Sequence, residues 1–473
     1  MFTLFNHIQK WAELEPSRVA IAGVYGNVTY SDLIARSAEL IAQIPQRTRS
    51  IGILGPSSPN WIAALLAAEC FGARVVPLPE FFSSTQLNYI LQDSEVDFIF
   101  HAPAYDCPEG INAYPWQGEK KPWTMKQAMS ATQVVYTSGS SGTPKGVVHP
   151  VSNLDKKAAE LAAISHSSQQ DIHLSVLPFS ILLEQITGIR VALRMGAKVI
   201  VNPMIFQSCM KGDFTLLEEA IKIYQPSTTV LVPELLRGWV AILIELNKQS
   251  PRCLRFVAVG GAHVPDSLSY KAWDLGIPVY EGYGLSECAS VVSVNTPVMR
   301  QPSSVGKPLP GCKITIEDGE IVVESDCVMQ GYLHGEGVPR KWHTGDLGAL
   351  DCDGYLQVYG RKDNLIVTSL GRNIMPEWLE AMILSDWRIN RCYVVADQNP
   401  YVSAIVIPHT SFQDEFASEE ACTSIVQGLC KEAPEYALPQ NVILTDLATL
   451  HQLGMITANG RPKRHELAQH FKL

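Results

Sequence analysis

The chain has 473 residues, too many for one ordinary hydrophobic core, so at least two packed units are expected. Apolar residues make up 46% and charged residues 18%, a balance that excludes a disordered chain. The formal net charge of −10 argues against nucleic acid as the main partner, because phosphate backbones want a basic face, but it leaves room for a local basic pocket.

The first eighteen residues, MFTLFNHIQKWAELEPSR, lack the basic segment and apolar core of a secretory leader. Ser50–Gly55 reads as a strand, Pro59 to Cys70 as a helix and ARVVPL as the next strand. The long apolar stretch from Trp61 to Pro79 carries Glu69 and Arg74 and breaks at Gly72, so it reads as a buried helix turning into a buried strand, not a membrane span. DIHLSVLP, a helix running through Leu193, and AKVIVNP repeat the pattern, and STTVLVPELL and LRFVAVGGA continue it as strands. Such alternation implies parallel sheets covered by helices.

From about Pro310 the texture changes to short strands with turn signals. GCKITIEDGEIVVES is a hairpin turning at Asp318-Gly319, and GDLGALDCDGYLQVYGR another turning at Asp353-Gly354. After Arg361 come a helix with Pro376 in its first turn, two strands within INRCYVVADQNPYVSAIVIP, and two further helical stretches. The expected fold is α/β: a large N-terminal domain of parallel sheets with helices plus a small β-barrel-like part over residues 1–361, and a small α+β C-terminal domain over 362–473. Eleven cysteines stand singly with no C-x-x-C pair, which suits thiols kept reduced in a cytoplasm and gives no zinc site.

One stretch is unlike the rest: Val134–His149, VVYTSGSSGTPKGVVH. A loop so poor in side chains is costly to order, so something outside the chain is expected to hold it. It offers backbone N–H groups, hydroxyls and one lysine between strand-like flanks, which is what polyphosphate oxygens require. It is not a Walker loop, because Pro144 stands five places after Gly139. Gly282-Tyr283-Gly284 is not a dinucleotide fingerprint, because Glu287 stands where the third glycine belongs, and Thr143 breaks the Gly-x-Ser-x-Gly pattern.

With the segments that follow it, the loop resembles the signature of the adenylate-forming superfamily, which includes acyl-CoA synthetases, peptide-synthetase adenylation domains and luciferases. FVAVGGAHVP (Phe256–Pro265) resembles the strand and turn beside the adenine, and VYEGYGLSE (Val279–Glu287) the aromatic-glycine-acid motif. WHTGDLG (Trp342–Gly348) resembles the ribose-binding aspartate motif, Tyr359–Glu380 the hinge and first helix of a mobile C-terminal domain, and ITANGRPKRHEL (Ile456–Leu467) the terminal catalytic-lysine loop. The segments stand in the family's order and the similarity covers nearly the whole chain. GRKDNLIVTSLGRNIMPEWLE is closest to the long-chain acyl-CoA synthetase branch.

The resemblance implies attack of a carboxylate on the α-phosphorus of ATP, with Mg²⁺ present and pyrophosphate leaving, so catalysis rests on positioning and fixed positive groups. It implies that Thr137, Ser138, Gly139, Ser140, Ser141, Gly142, Thr143 and Lys145 wrap the β- and γ-phosphates. It places Gly261 and Ala262 along the base with Tyr283 stacked on adenine, and it counts Glu281, Gly282 and Gly284 among the ATP- or AMP-binding residues. Ser286 would touch the α-phosphate, Glu287 would hold Mg²⁺, Asp346 would accept the ribose hydroxyls, and Arg361 would contact ribose or phosphate. Asp363 is the expected hinge, and Gly371 either lines the entry tunnel of a thiol or is a plain turn glycine. At the C-terminus Arg461 takes the place of the usual lysine. Three outcomes stand open: Arg461 acts with changed geometry, the favoured one since the charge is retained; Lys463 reaches in instead; or adenylation is slow or lost.

For the acid, Leu177–Ile189 is the expected front of the pocket, with Phe179, Ser180, Ile181 and Glu184 facing it and Pro233 opposite. Amino-acid activators carry aspartate after the phenylalanine, where this chain has Ser180. A buried unpaired ammonium is costly, so an aliphatic or aryl acid is expected in place of an α-amino acid. The acceptor is the thiol of CoA or of a carrier-protein phosphopantetheine. Two competing readings stand beside this one: an acyl-AMP ligase serving an amine or hydroxyl, and a nucleotide-binding protein with weak catalysis.

Overall fold

The computed structural model describes residues 3–105, 111–116, 131–138, 144–369, 371–396, 401–416, 418–456, 462–471 and 473. Two large sheets dominate. In the nine-stranded sheet, Val19–Gly23, Lys198–Val201, Ile172–Ser175, Thr228–Leu231, Phe256–Val259 and Val279–Leu285 run parallel in that spatial order, with antiparallel strands at both edges. In the seven-stranded sheet, Thr132–Ser138, Arg74–Leu78, Ser50–Leu54, Phe98–His101 and Asn112–Pro115 are parallel neighbours. Pro144–Pro150 and Gly331–Tyr332 extend its edge antiparallel.

Helix Pro59–Phe71 lies between the sheets. It is apolar on every face, and its core cluster joins Ile21 and Val199 of one sheet to Ile51 and Val75 of the other. A helix hydrophobic all round has no solvent face and must be covered on both sides. Ser58 caps its start with Pro59 just inside, and Gly72 ends it at φ +91°. Its one acid, Glu69, is buried against Arg190, whose other edge donates to Asp155 at 2.8 Å. Asp155 also accepts from Leu4 N–H at 3.0 Å.

Two expected elements differ. The strand in STTVLVPELL stops at Leu231, and Pro233 opens a helix that runs to Glu245. Proline's fixed φ and missing N–H suit a first helical turn, and that outweighs the apolar run. The helix expected through Leu193 is in part a π-helix, Glu184–Arg190, followed by an α-helical piece, Val191–Met195, which Gly196 ends at φ +78°. The small β part is a four-stranded antiparallel sheet of Cys312–Glu317, Glu320–Ser325, Lys341–Leu350 and Leu356–Arg361. Asp318 and Gly319 both take positive φ at its first hairpin, as a two-residue turn of matching twist needs.

Beyond Arg361 the chain packs an α+β unit. Helix Pro376–Ile383 covers a sheet of Ile389–Val395, Ser403–Pro408 and Asn441–Leu444. Its core, with Leu379, Val394, Val406 and Val426, shares no residue with the clusters of the large sheets. Among the described residues no helix is long and apolar enough to cross a membrane.

Candidate active site

A cleft of about 2610 Å³ opens where the ends of the large sheets meet the unit after Arg361. On one side stand the hairpin strands Thr132–Ser138 and Pro144–Pro150, paired as far as Thr137↔Lys145 and Ser138↔Pro144. The expected tight turn is therefore framed by ladder bonds on both flanks, while Gly139, Ser140, Ser141, Gly142 and Thr143 lie outside the described residues, as does Arg461. Thr137 and Lys145 line the cleft, and the exposed ammonium of Lys145 lies 5.6 Å from the centre of the Tyr332 ring.

Facing the lysine is the turn Ser286–Cys288, and both Ser286 and Glu287 line the cleft. The Tyr332 hydroxyl donates to Glu287 Oε1 at 2.8 Å, so one ring touches both the lysine side and the acid side. His149 donates Nε2–H to the carbonyl of Ser286 at 2.6 Å. Burial, with the Lys157 ammonium adding to it against the pull of that bond, pushes the imidazole down to about 4 and keeps it neutral.

Strand Val279–Leu285 brings Gly282, Tyr283 and Gly284 to the cleft wall. A Cβ on Gly284 would meet the carbonyl of Ser290 at 2.0 Å, so only glycine fits there. The Tyr283 hydroxyl donates to Asp346 Oδ2 at 2.5 Å, and Arg361 stands 3.3 Å from the other oxygen. Burial raises the Asp346 carboxyl above its ordinary range, while the tyrosine and arginine pull it back. Gly261, at φ +89°, and Ala262 lie at the same wall. Glu281 does not. It points under the strand, 8% exposed, and burial holds its carboxyl up to about 7. Buried and absent from the cleft lining, it does not reach the nucleotide site, which corrects its assignment there.

At the other end Ser180, Ile181 and Pro233 line the cleft. Phe179 and Glu184 are corrections. The Phe179 ring is fully buried, edge-on to Trp61 at 5.6 Å between centres, and belongs to the core between the sheets. Glu184 is fully buried behind the wall, 3.0 Å from His173 Nε2, and His173 Nδ1 lies 3.0 Å from the Thr228 hydroxyl. Gly188 makes room for that pair, since a Cβ there would sit 2.5 Å from the ring. The π-helix turns Glu184 inward, and no helical period of 3.6 would have revealed this.

The C-terminal unit closes the cleft. Asp363 lies in the turn Lys362–Asn364 and lines it. Gly371 takes φ +71° in the tight turn joining Ile366–Val367 to Asn373–Ile374, faces open space and does not line the cleft. Lys463 lines it, half-buried, 3.3 Å from Glu466. Arg464 anchors the terminal segment on Glu380 and on the carbonyl of Val394 at 2.7 Å. Across the mouth, Arg391 pairs with Glu234 at 3.5 Å and Arg237 donates to the carbonyl of Leu384 at 2.5 Å.

Residues 8–333 match the family described as AMP-binding enzyme, and residues 363–472 its C-terminal domain. The chain belongs to the AMP-binding enzyme family. It is 26% identical to the 2-succinylbenzoate–CoA ligase of Bacillus cytotoxicus, over 99% of each chain. It is 25% identical to the O-succinylbenzoate coenzyme A synthetase of Bacillus subtilis solved with AMP, with a TM-score of 0.82 and 98% of each chain covered. The benzoate CoA ligase of Burkholderia xenovorans shares the fold at a TM-score of 0.82, with 16% identity over 99% of this chain and all of that one. These relatives act on aryl acids, and they replace the expected likeness to the long-chain branch.

For an AMP-binding enzyme the cleft fits its ligand. One acid, Glu287, faces one exposed lysine, and magnesium bound with a nucleotide takes one or two carboxylates and draws its remaining ligands from phosphate and water. Tyr332, His149 and His173 were not found by sequence reasoning. Each gains its place from a partner that no contiguous pattern names: Ser286 for His149, Glu184 for His173 and Glu287 for Tyr332.

Proposed function

We propose that this AMP-binding enzyme is an AMP-forming acid–CoA ligase for an aryl acid, and that its division falls between residues 361 and 362. The acid is first activated by Mg²⁺ and ATP to an acyl adenylate, and the acyl group then passes to the CoA thiol. The observation that carries this reading is that Lys145, Glu287, the Tyr283–Asp346–Arg361 group, the Ser180–Ile181–Pro233 wall and Lys463 line one cleft from separate parts of the chain.

In this reading Thr137, Ser138, residues 139–143 and Lys145 hold the β- and γ-phosphates. Ser286 bonds the α-phosphate and Glu287 the metal. Asp346 and Arg361 hold the ribose, and the base lies between Tyr283 and the backbone at Gly261 and Ala262. Mg–ATP supplies the electrophilic phosphorus and the leaving pyrophosphate. The chain's contribution is to orient the two anions and offset their charge in a site screened from water. Arg461 supplies the terminal cation, with Lys463, already at the cleft, as its alternative. Asp363 is the hinge, and Gly371 admits the thiol once the C-terminal unit has turned. The Ser180, Ile181, Leu183 and Val232 side chains at the cleft suit an apolar ring. A cytoplasmic setting accords with ten free cysteines among the described residues.

The test is pyrophosphate release from Mg–ATP with a panel of benzoate, anthranilate, 2-succinylbenzoate and octanoate, followed by CoA consumption. Release with at least one aryl acid and CoA-dependent turnover are expected. Release with octanoate alone overturns the aryl assignment, and no release with any acid overturns the ligase reading. Transfer to a carrier-protein thiol but not to CoA would replace the acceptor.

A further inference from the structure

The turn that carries Ser286 and Glu287 is followed by Ala289 at φ +57° and Ser290 at φ +79°, two consecutive non-glycine residues in the left-handed region. Such backbone persists only where its surroundings hold it. Three bonds do so. Met329 N–H donates to the carbonyl of Glu287 at 2.7 Å, and the Tyr332 hydroxyl donates to its carboxylate at 2.8 Å. The third is the 2.6 Å bond from His149 Nε2–H to the carbonyl of Ser286. The first two come from one segment, Met329–Tyr332. Only the third comes from strand Pro144–Pro150, whose other end bears Lys145.

We propose that His149 is a positioning residue for the magnesium–nucleotide end of the cleft, its ring fixing Ser286 and Glu287 relative to Lys145. The proposal rests on the reading of Lys145 and Glu287 given above. Lys145, Val147 and His149 share one face of the strand, so the lysine and the imidazole are held in register by the same ladder. The ring is fully buried, and a carbonyl partner requires the proton on Nε2. Nδ1 is then left buried with no partner. A leucine would fill the space without an orphaned nitrogen, so what the imidazole adds is the Nε2–H donor.

The test titrates the full chain with Mg–ATP by calorimetry, no acid present, and measures the Mg²⁺ concentration for half-saturation at fixed ATP. His149→Leu is expected to weaken Mg–ATP binding by about tenfold and to raise the Mg²⁺ requirement, with its melting temperature little changed. His149→Gln, which keeps an N–H donor at similar reach, is expected to bind within about threefold of the parent protein. A folded His149→Leu that binds as the parent does, or a His149→Gln as weak as His149→Leu, overturns the proposal. Should His149→Leu fail to fold, His149→Gln decides: parent-like binding upholds the proposal, and weakened binding with unchanged melting overturns it. If the parent protein itself does not bind Mg–ATP, the proposed function falls and the positioning role with it; a defect confined to the variants bears on His149 alone.

Discussion

The two ends of the cleft are built differently. At the nucleotide end, charged and polar side chains line the cleft and are held by bonds to their outer atoms: Tyr332 to Glu287, Tyr283 and Arg361 to Asp346. At the acid end the wall is backed by the core. Behind Ser180 and Ile181 lie fully buried groups, Phe179 in the core between the sheets and Glu184 on His173, with Arg190 at the end of the same π-helix locked between Glu69 and Asp155. One end can lose a group and keep its fold. The other is continuous with the core, so changing it changes stability first.

The largest effect expected from this contrast is at Arg190. Arg190→Met leaves two buried carboxylates without their cation and should lower unfolding free energy by about 3–5 kcal/mol in denaturant titration. A variant as stable as the parent would mean that the acid end is not part of the core.

Next comes the pH dependence carried by Glu281. Its carboxyl is raised from 4.5 to about 7 by burial, so the folded chain keeps a proton that the unfolded chain releases between those values. Its contribution is fully present below pH 4.5 and is lost as pH rises through about 7, a change of about 3 kcal/mol. Glu281→Gln should remove that slope, which is read as the difference between the two stability–pH curves.

Lys145→Ala should do the reverse of Arg190→Met. Catalytic efficiency of pyrophosphate release should fall about 100-fold, with melting unchanged. The smallest effect is expected for Tyr283→Phe, which removes one hydrogen bond to Asp346 and should raise KM for ATP by about tenfold without altering that for the acid. An equal rise in both would blur the division between the ends.

The same division governs what the sequence could reveal. Ladders, hairpins and nucleotide groups were legible because each is a short contiguous pattern: the Asp318-Gly319 turn, the hairpin around Lys145, the Tyr283–Glu287 run. The acid end was not. Phe179 and Glu184 sit beside Ser180 and Ile181 in the chain, yet a π-helix and a core aromatic turn them away from the cleft. His149 ends the loop motif, but its partner Ser286 lies 137 residues on, and no local pattern announces such a bond. Pro233 lines the cleft from the first turn of a helix that follows directly on an apolar strand, a boundary marked in the chain by the proline alone.

The ties between Glu234 and Arg391, and between Arg237 and the carbonyl of Leu384, bridge two units whose apolar cores share no side chain. The ion pair at the rim weakens as mobile ions gather around it. If the smaller unit turns as proposed above, ionic strength is a dial on how readily it does so, one that acts without touching the chemistry inside.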